Sequence, residues 1–143
     1  MRKKAPTPSS AGLFRFGMTC LRAERYPHDH HPCTVFACPT CGVVPLAPII
    51  EHHTGSQEGS FRGVIKARCS TCGREERVFS FTGEHRRPLR VERPTCPCGH
   101  GGFLIGMVER IEGDRGLPGF FDEGVVVGEC AECGQRTAFV HTD

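Results

Sequence analysis

The chain has 143 residues, including 10 cysteines, 18 glycines and 11 prolines, and only 38% of its residues are hydrophobic. A chain of this size that splits into two units buries a thin core in each, and thin cores usually need disulfides or a metal. The formal net charge of +2 is uneven, because residues 1–33 carry +4, residues 34–94 carry +3 and residues 95–143 carry −5. The acidic C-terminal part is therefore poorly suited to binding phosphates.

The first 33 residues form a basic segment that we expect to be partly disordered. Residues 1–12 are rich in Lys, Arg, Pro and Ser, a composition that is typical of disorder. Residues 13–21 then place apolar side chains at every second position, and this period of two predicts a short strand. The alternating residues are Phe14, Phe16, Met18 and Cys20.

Arg15 interrupts the apolar run of this segment, so we expect no secretory signal peptide. No stretch approaches the roughly 18 apolar residues of a membrane helix. We therefore predict a cytoplasmic protein without a membrane partner. The first 23 residues contain no acid, and in this respect they resemble an organellar transit peptide.

Eight of the ten cysteines lie in four close pairs, which are Cys38/Cys41, Cys69/Cys72, Cys96/Cys98 and Cys130/Cys133. Three pairs are C-x-x-C followed by glycine, and the fourth is C-P-C-G. Disulfide scaffolds of secreted proteins space their cysteines more evenly, so close pairs indicate metal ligands in a reducing compartment.

From residue 36 the chain repeats one pattern, which predicts a first unit at residues 34–84, a basic linker at 85–94 and a second unit at 95–143. In each unit a cysteine turn, a strand, a glycine-rich turn, a second strand, a second cysteine turn and a third strand follow one another. Proline cannot donate to a ladder, so Pro45 and Pro48 predict at most an edge strand at residues 43–50.

The cysteine spacing fits tetrahedral metal coordination. Two cysteines in a tight turn can bind one ion, and a second such turn completes the tetrahedron. The glycine after each pair permits a positive φ, which turns backbone N–H groups toward the sulfurs. We predict one site with Cys38, Cys41, Cys69 and Cys72, and another with Cys96, Cys98, Cys130 and Cys133. Because C-P-C-G has only one intervening residue, His100 stays open as a replacement for Cys96.

Two C-x-x-C-G turns with a hairpin between them resemble the zinc-ribbon family, here over residues 36–81 and 94–140. The resemblance implies a small metal-stabilised all-β fold of two tandem three-stranded zinc ribbons after a flexible N-terminal segment, with two Zn²⁺ per chain. Rubredoxin-like proteins share this cysteine turn, but they bind iron, carry electrons and pack several aromatics around the metal. This chain has no Trp and one Tyr, so the resemblance to zinc ribbons is the better one.

A further group of metal-ligating residue types comprises Cys20, His28, His30, His31 and Cys33. These residues either form a third metal site or belong to a solvated histidine-rich linker with two packed cysteines, and the sequence leaves both alternatives open. His52 and His53 lie near the predicted tip of the first hairpin, and we expect them to face solvent.

No catalytic motif of the G-x-S-x-G or H-E-x-x-H type occurs in the sequence, and four cysteine ligands leave no open position on a metal. We therefore expect a non-enzymatic zinc-ribbon adaptor or accessory protein with a protein partner. The opposite charges of the two units suit a bridging role between two partners.

The alternative is nucleic-acid binding, because zinc ribbons that resemble these units occur in transcription, translation and DNA repair. Contact with DNA or RNA would then involve the linker at 83–94 and the basic side chains of the first unit. The candidate residues are Arg62, Lys66, Arg68, Arg74, Arg77, Arg86, Arg87, Arg90 and Arg93, with Phe79 and Phe81 as stacking surface.

Overall fold

The structure is a computed structural model that describes residues 1–4, 10–22, 29–53, 61–80, 87–112 and 120–142. These residues form nine strands and one helix. In chain order the elements are β1 (Arg2–Lys4), α1 (Ala11–Cys20), β2 (Cys33–Ala37), β3 (Leu46–His52), β4 (Gly63–Cys69), β5 (Glu75–Ser80), β6 (Arg90–Glu92), β7 (Phe103–Glu112), β8 (Phe120–Cys130) and β9 (Arg136–Thr142).

Each unit contributes three antiparallel strands, in the order β3-β4-β5 in the first unit and β7-β8-β9 in the second. The register shifts at equivalent places, between Ile65 and Lys66 in the first unit and between Val126 and Val127 in the second. A small all-β protein with two four-cysteine groups was predicted from the sequence, and the structure confirms it.

The two units belong to one sheet because strands are exchanged between them. β2, which precedes the first cysteine turn, pairs with residues 106–108 of β7 in the second unit. β6, which precedes the second cysteine turn, pairs with residues 50–52 of β3 in the first unit. β3 and β7 also meet directly, where Leu46 is the partner of Phe103. The exchange is reciprocal, since each unit receives the strand that leads into the other.

The prediction that residues 43–50 form an edge strand at most is wrong, because β3 begins at Leu46 and has partners on both sides. The carbonyl of His52 accepts a hydrogen bond from the β6 side, so every second residue of β3, Pro48 included, directs its backbone to that side. Pairing there occurs at Leu46 and again from Ile50. Pro48 lies in the gap between β7 and β6, where no ladder bond is lost.

The prediction of a strand at residues 13–21 is wrong, because the chain forms α1 there. Leu13, Phe14 and Gly17 are the buried residues of the helix. Gly17 lies so close to β7 that a Cβ built on it would be 2.5 Å from Cγ2 of Val108. The helix therefore packs against the sheet of the second unit at a distance that only glycine allows.

The prediction of disorder at residues 1–12 is wrong for Arg2–Lys4, which forms β1 and pairs with β2. It is also wrong for the last residues of that range, because α1 begins at Ala11. Residues 5–9 lie outside the described part of the chain.

The apolar core has two parts, which lie on opposite faces of the second unit's sheet. The smaller part lies under α1 and contains Leu13, Phe14, Leu21, Val35, Val108, Val125 and Val127. The larger part joins both units and includes Phe36, Leu46, Ile50, Phe61, Ile65, Phe103, Ile105, Met107, Val126 and Val140. Because side chains alternate along a strand, β7 contributes to both parts.

Candidate metal centres

The structure brings the eight predicted ligands together in two groups of four, and within each group all Sγ atoms lie within 4.8 Å of one another. We call these groups the first and the second cysteine cluster. The first contains Cys38, Cys41, Cys69 and Cys72, and the second contains Cys96, Cys98, Cys130 and Cys133.

Two turns of the same shape place the C-terminal cysteine pair of each cluster. Cys69 is the last residue of β4, and its carbonyl accepts a 2.9 Å hydrogen bond from the N–H of Gly73. Cys130 is the last residue of β8, and its carbonyl accepts a 2.9 Å hydrogen bond from the N–H of Gly134. The strand ends thus hold one ligand of each cluster in the sheet, while the turn folds the other back toward it.

The glycine after each cysteine pair adopts a positive φ, as the sequence predicts. The φ values are 83° at Gly42, 78° at Gly73, 94° at Gly99 and 76° at Gly134. Non-glycine residues reach this left-handed region only at a cost of about 1–2 kcal/mol. The C-P-C-G turn follows the same rule as the three C-x-x-C-G turns, although it is one residue shorter.

The sulfur geometry fits a tetrahedral metal ion. The Sγ–Sγ distance is 3.6 Å for Cys38–Cys72, 3.4 Å for Cys96–Cys133 and 3.6 Å for Cys98–Cys130. Zinc–sulfur bonds of about 2.3 Å at tetrahedral angles put two sulfurs about 3.8 Å apart. A disulfide would need about 2.05 Å, and all ten cysteines are free. Four thiolates around one soft divalent cation are therefore the chemistry that these donor sets fit.

In each cluster the cysteine that ends a strand, Cys69 or Cys130, has a lowered pKa. A hydrogen bond from the Cys72 amide lowers the pKa of Cys69 to about 6, and the Cys133 amide lowers the pKa of Cys130 to about 6. Burial, together with hydrogen bonds among the neighbouring thiols, raises the pKa of Cys41 to about 12. Four thiolates this close repel one another, so full ionisation of a cluster calls for a cation at its centre.

The clusters lie at the surface of the protein, with one side turned to the core. Cys38, Cys69, Cys96 and Cys130 are buried, whereas Cys72, Cys98 and Cys133 are exposed and Cys41 is half-buried. The buried sulfurs belong to the larger apolar core. Loss of a metal ion would therefore disturb that core, while the exposed sulfurs leave the ion within reach of a chelator.

Cys96, rather than His100, lies in the second cysteine cluster. Its Sγ lies in the cluster, and His100 contributes its backbone carbonyl, which accepts a 2.8 Å hydrogen bond from the Cys96 N–H. Sequence reasoning did not identify Gln135, whose Oε1 lies 3.9 Å from the Cys96 sulfur. Its position directly after the last C-x-x-C-G turn is the only signal that the sequence offered.

One row of residues across the sheet connects the two clusters. Leu46 is the partner of Cys69 on one side and of Phe103 on the other, and Phe103 is in turn the partner of Cys130. Leu46 is fully buried and Phe103 is 1% exposed. Sequence reasoning did not identify this contact, although both residues open the first strand after an N-terminal cysteine pair.

The remaining predicted ligands do not form a third group within the described residues. Cys33 donates from Sγ to the carbonyl of His31 at 3.4 Å, and burial, followed by the charge of Glu109, raises the pKa of its thiol. His30 takes part in the sheet through its backbone, which bridges to Ile111. His28 lies outside the described residues.

The prediction that His52 and His53 face solvent is wrong. The His52 ring packs edge-on against Phe61 with centroids 5.6 Å apart, and its Nε2 lies 3.0 Å from a carboxylate oxygen of Glu92. The His53 side chain is only 8% exposed. The strand exchange explains the result, because β6 covers this end of β3.

Comparisons with protein-family models, with curated proteins and with solved structures found no match to the chain. Within the described residues, no helix is long and apolar enough to cross a membrane. The interpretation of the two clusters therefore depends on their own geometry and chemistry.

Proposed function

We propose that the protein binds two zinc ions and acts as a non-enzymatic adaptor that holds two macromolecular partners together. The pair of four-thiol clusters is the observation that carries this proposal. Four protein sulfurs complete a tetrahedral coordination shell, so no position remains for a water molecule or a substrate. The metals would then stabilise the fold, and function would lie on the surfaces that they hold in place.

The distribution of charge supports a bridging role. Each zinc with four thiolates adds −2, because one divalent cation accompanies four ionised sulfurs. Residues 34–94 change from +3 to +1 and residues 95–143 from −5 to −7, with one centre counted in each. The strand exchange keeps these two unlike surfaces in one sheet, so two partners would be held at a fixed spacing.

The alternative, contact with nucleic acid through the first unit, receives less support. Lys66 forms a 2.8 Å ion pair with Glu51, and Arg74 forms a 2.6 Å ion pair with Glu76. Phe79 is half-buried and packs against the larger core, so its ring is not free to stack on a base. Phe81 and Arg86 lie outside the described residues. The exposed arginines at positions 62, 68, 77, 87, 90 and 93 keep the alternative testable.

The metal content tests the first part of the proposal. Elemental analysis and native mass spectrometry of the purified full chain should give two zinc ions per molecule. Fewer than about 1.5 zinc per chain would show that one structural centre is not formed. Visible absorption of the ferric-thiolate type would support the iron-binding alternative.

Cross-linking in intact cells, with and without nuclease, tests the adaptor role. We expect protein cross-links to both units that survive nuclease treatment, with different partners on the first and the second unit. Cross-links that disappear with nuclease would favour the nucleic-acid alternative. A protein whose two units share a single partner would not be an adaptor in the proposed sense.

A further inference from the structure

Among the strands that the structure describes, β6 is an open edge of the sheet. It pairs with β3 through Arg90, Val91 and Glu92, and no other described strand pairs with its opposite side. Among the described residues, the large apolar side chains that remain exposed are Leu89 at 70% and Val91 at 47%. An open strand edge offers backbone N–H and C=O groups to another extended chain.

Positive charge surrounds this edge. Residues 87–93 include three exposed arginines, at positions 87, 90 and 93, and one acid. That acid, Glu92, lies 3.0 Å from Nε2 of His52. The segment has a net charge of +2, and its apolar side chains alternate with polar ones. Such a pattern fits a ligand that carries both negative charge and aliphatic side chains.

An extended peptide fits this edge better than a nucleic acid does. Single-stranded nucleic acids are bound largely by stacking on aromatic rings, and none of the phenylalanines whose side chains the structure describes is exposed. The exposed apolar groups are the aliphatic Leu89 and Val91, which offer no flat face to a base. They do suit the side chains of a neighbouring strand.

A second copy of the chain fits less well. The acidic strand edge that a second copy offers is that of β5, which carries Glu75 and Glu76, so charge complementarity would pair β6 of one molecule with β5 of the next. Such a contact is head-to-tail, and unless its rotation closes a ring it produces open filaments. Self-association of the protein, measured in solution, would reveal this contact.

We propose that the free edge of β6 binds an extended acidic segment of a partner protein, in which acidic and aliphatic residues alternate, by adding it as a further strand. The proposal rests on the adaptor function and names the chemistry of one partner. Aliphatic side chains of the added strand would lie beside Leu89 and Val91. Its acids would lie on the opposite face of the added strand, beside Arg90, and Arg87 and Arg93 would add positive charge at the two ends of β6.

Nuclear magnetic resonance locates the binding site on the zinc-loaded full chain. The probe is a short synthetic peptide in which glutamate and valine alternate. We expect its addition to shift the amide signals of β6 and the adjoining part of β3, and to slow exchange of the Val91 amide. A matched peptide with lysine in place of glutamate should leave these signals unchanged.

Paired substitutions test which groups bind the peptide, with affinity measured by fluorescence anisotropy. Arg90→Glu combined with Arg93→Glu should weaken binding at low salt by about tenfold or more, since two attractions become repulsions. Leu89→Ser should also weaken it, by several-fold. Arg77→Glu on β5 is the matched control, because this exposed arginine lies away from β6. Zinc content near two per chain shows that each variant folds.

Several results would overturn the proposal. Shifts at the β5 or β9 edge, or no shifts with millimolar peptide, would exclude β6 as the site. Stronger binding of a single-stranded oligonucleotide to the same residues would assign the edge to nucleic acid. Self-association that Leu89→Ser abolishes would assign it to a second copy. If cross-linking to two partners survives the β6 substitutions in a protein with two zinc ions, this proposal fails and the adaptor function stands.

Discussion

Removal of one metal centre should unfold both units. The perturbation is Cys72→Ser, which takes one exposed ligand from the first cysteine cluster and leaves the second cluster intact. From the sequence, each unit has its own four ligands, and this favours two independent units. In that case the substitution would unfold only the first unit. The strand exchange leads to the opposite expectation, because β2 and β6 each cross between the units.

The buried surface shared by the units sets the size of the effect. Phe103, Ile105, Met107 and Val126 are each at most 1% exposed, and they lie on the face of the second unit that α1 does not cover. Each such side chain contributes about 1.5–3 kcal/mol when fully buried, which gives about 6–12 kcal/mol together. A whole domain is stable by only about 5–15 kcal/mol. Part of this burial comes from the second unit itself, since Phe103 packs on Phe139, but losing even half of it would remove much of the stability of a domain. We therefore expect the second unit to unfold with the first.

Hydrogen exchange of backbone amides measures this coupling in the zinc-loaded protein. In the Cys72→Ser variant we expect protection to fall together at residues 63–69 of the first unit and 103–108 of the second. Cys133→Ser should have the reciprocal effect. Cys20→Ser is the matched control, because this cysteine lies outside both clusters. Full protection at residues 103–108, with free exchange at 63–69, would refute the reasoning.

Three further substitutions test particular contacts. Gly17→Ala should lower the free energy of unfolding in urea by about 1–3 kcal/mol, because its Cβ would lie 2.5 Å from a valine side chain of β7. Gly12→Ala meets only the end of a flexible arginine, so an equal loss there would show that the close approach is not the cause. Glu123→Gln should lower the free energy of unfolding by about 3 kcal/mol or more, because this carboxylate is 1% exposed and forms a buried ion pair with Arg110, whose Nε lies 3.8 Å away. Unchanged urea unfolding would show that this ion pair does not stabilise the fold. Gly134→Ala should lower the free energy of unfolding by about 1–2 kcal/mol, because Gly134 has a φ of 76°. It should also speed the transfer of zinc to a chelator. Gly101→Ala should have neither effect, because its Cβ meets nothing closer than 4.0 Å.

The cysteine clusters and their turns could be predicted because their geometry is local. Two cysteines with one or two residues between them and a following glycine fix the shape of a turn, whatever the rest of the chain does. The three strands of each unit were predictable for the same reason, since they fall between turn residues and contain β-branched and aromatic side chains. These features depend on neighbours in the sequence, so a single sequence contains them.

The helix α1 could not be predicted because local signals there disagree with the packing. Gly12 and Gly17 each disfavour a helix by about 1 kcal/mol relative to alanine, and the apolar residues also fit a period of two. In the structure Gly17 is required by the closeness of β7. The Glu123 carboxylate also lies 2.5 Å from the backbone N–H of Arg22, just beyond the end of the helix. In both contacts the two residues are about a hundred positions apart in the sequence, so no local pattern shows them.

The strand exchange follows from what a single unit lacks. A three-stranded unit leaves one edge of its first strand unpaired and one apolar face uncovered, and unpaired edges are a liability. In this chain β6 and β7 cover the edge of β3, while β2 and β3 cover the edge of β7. The strand exchange also buries Leu46 and Phe103 side by side between the two clusters. The repeat is thus completed only as a pair, so a metal ion bound at either cluster would stabilise both halves of the pair.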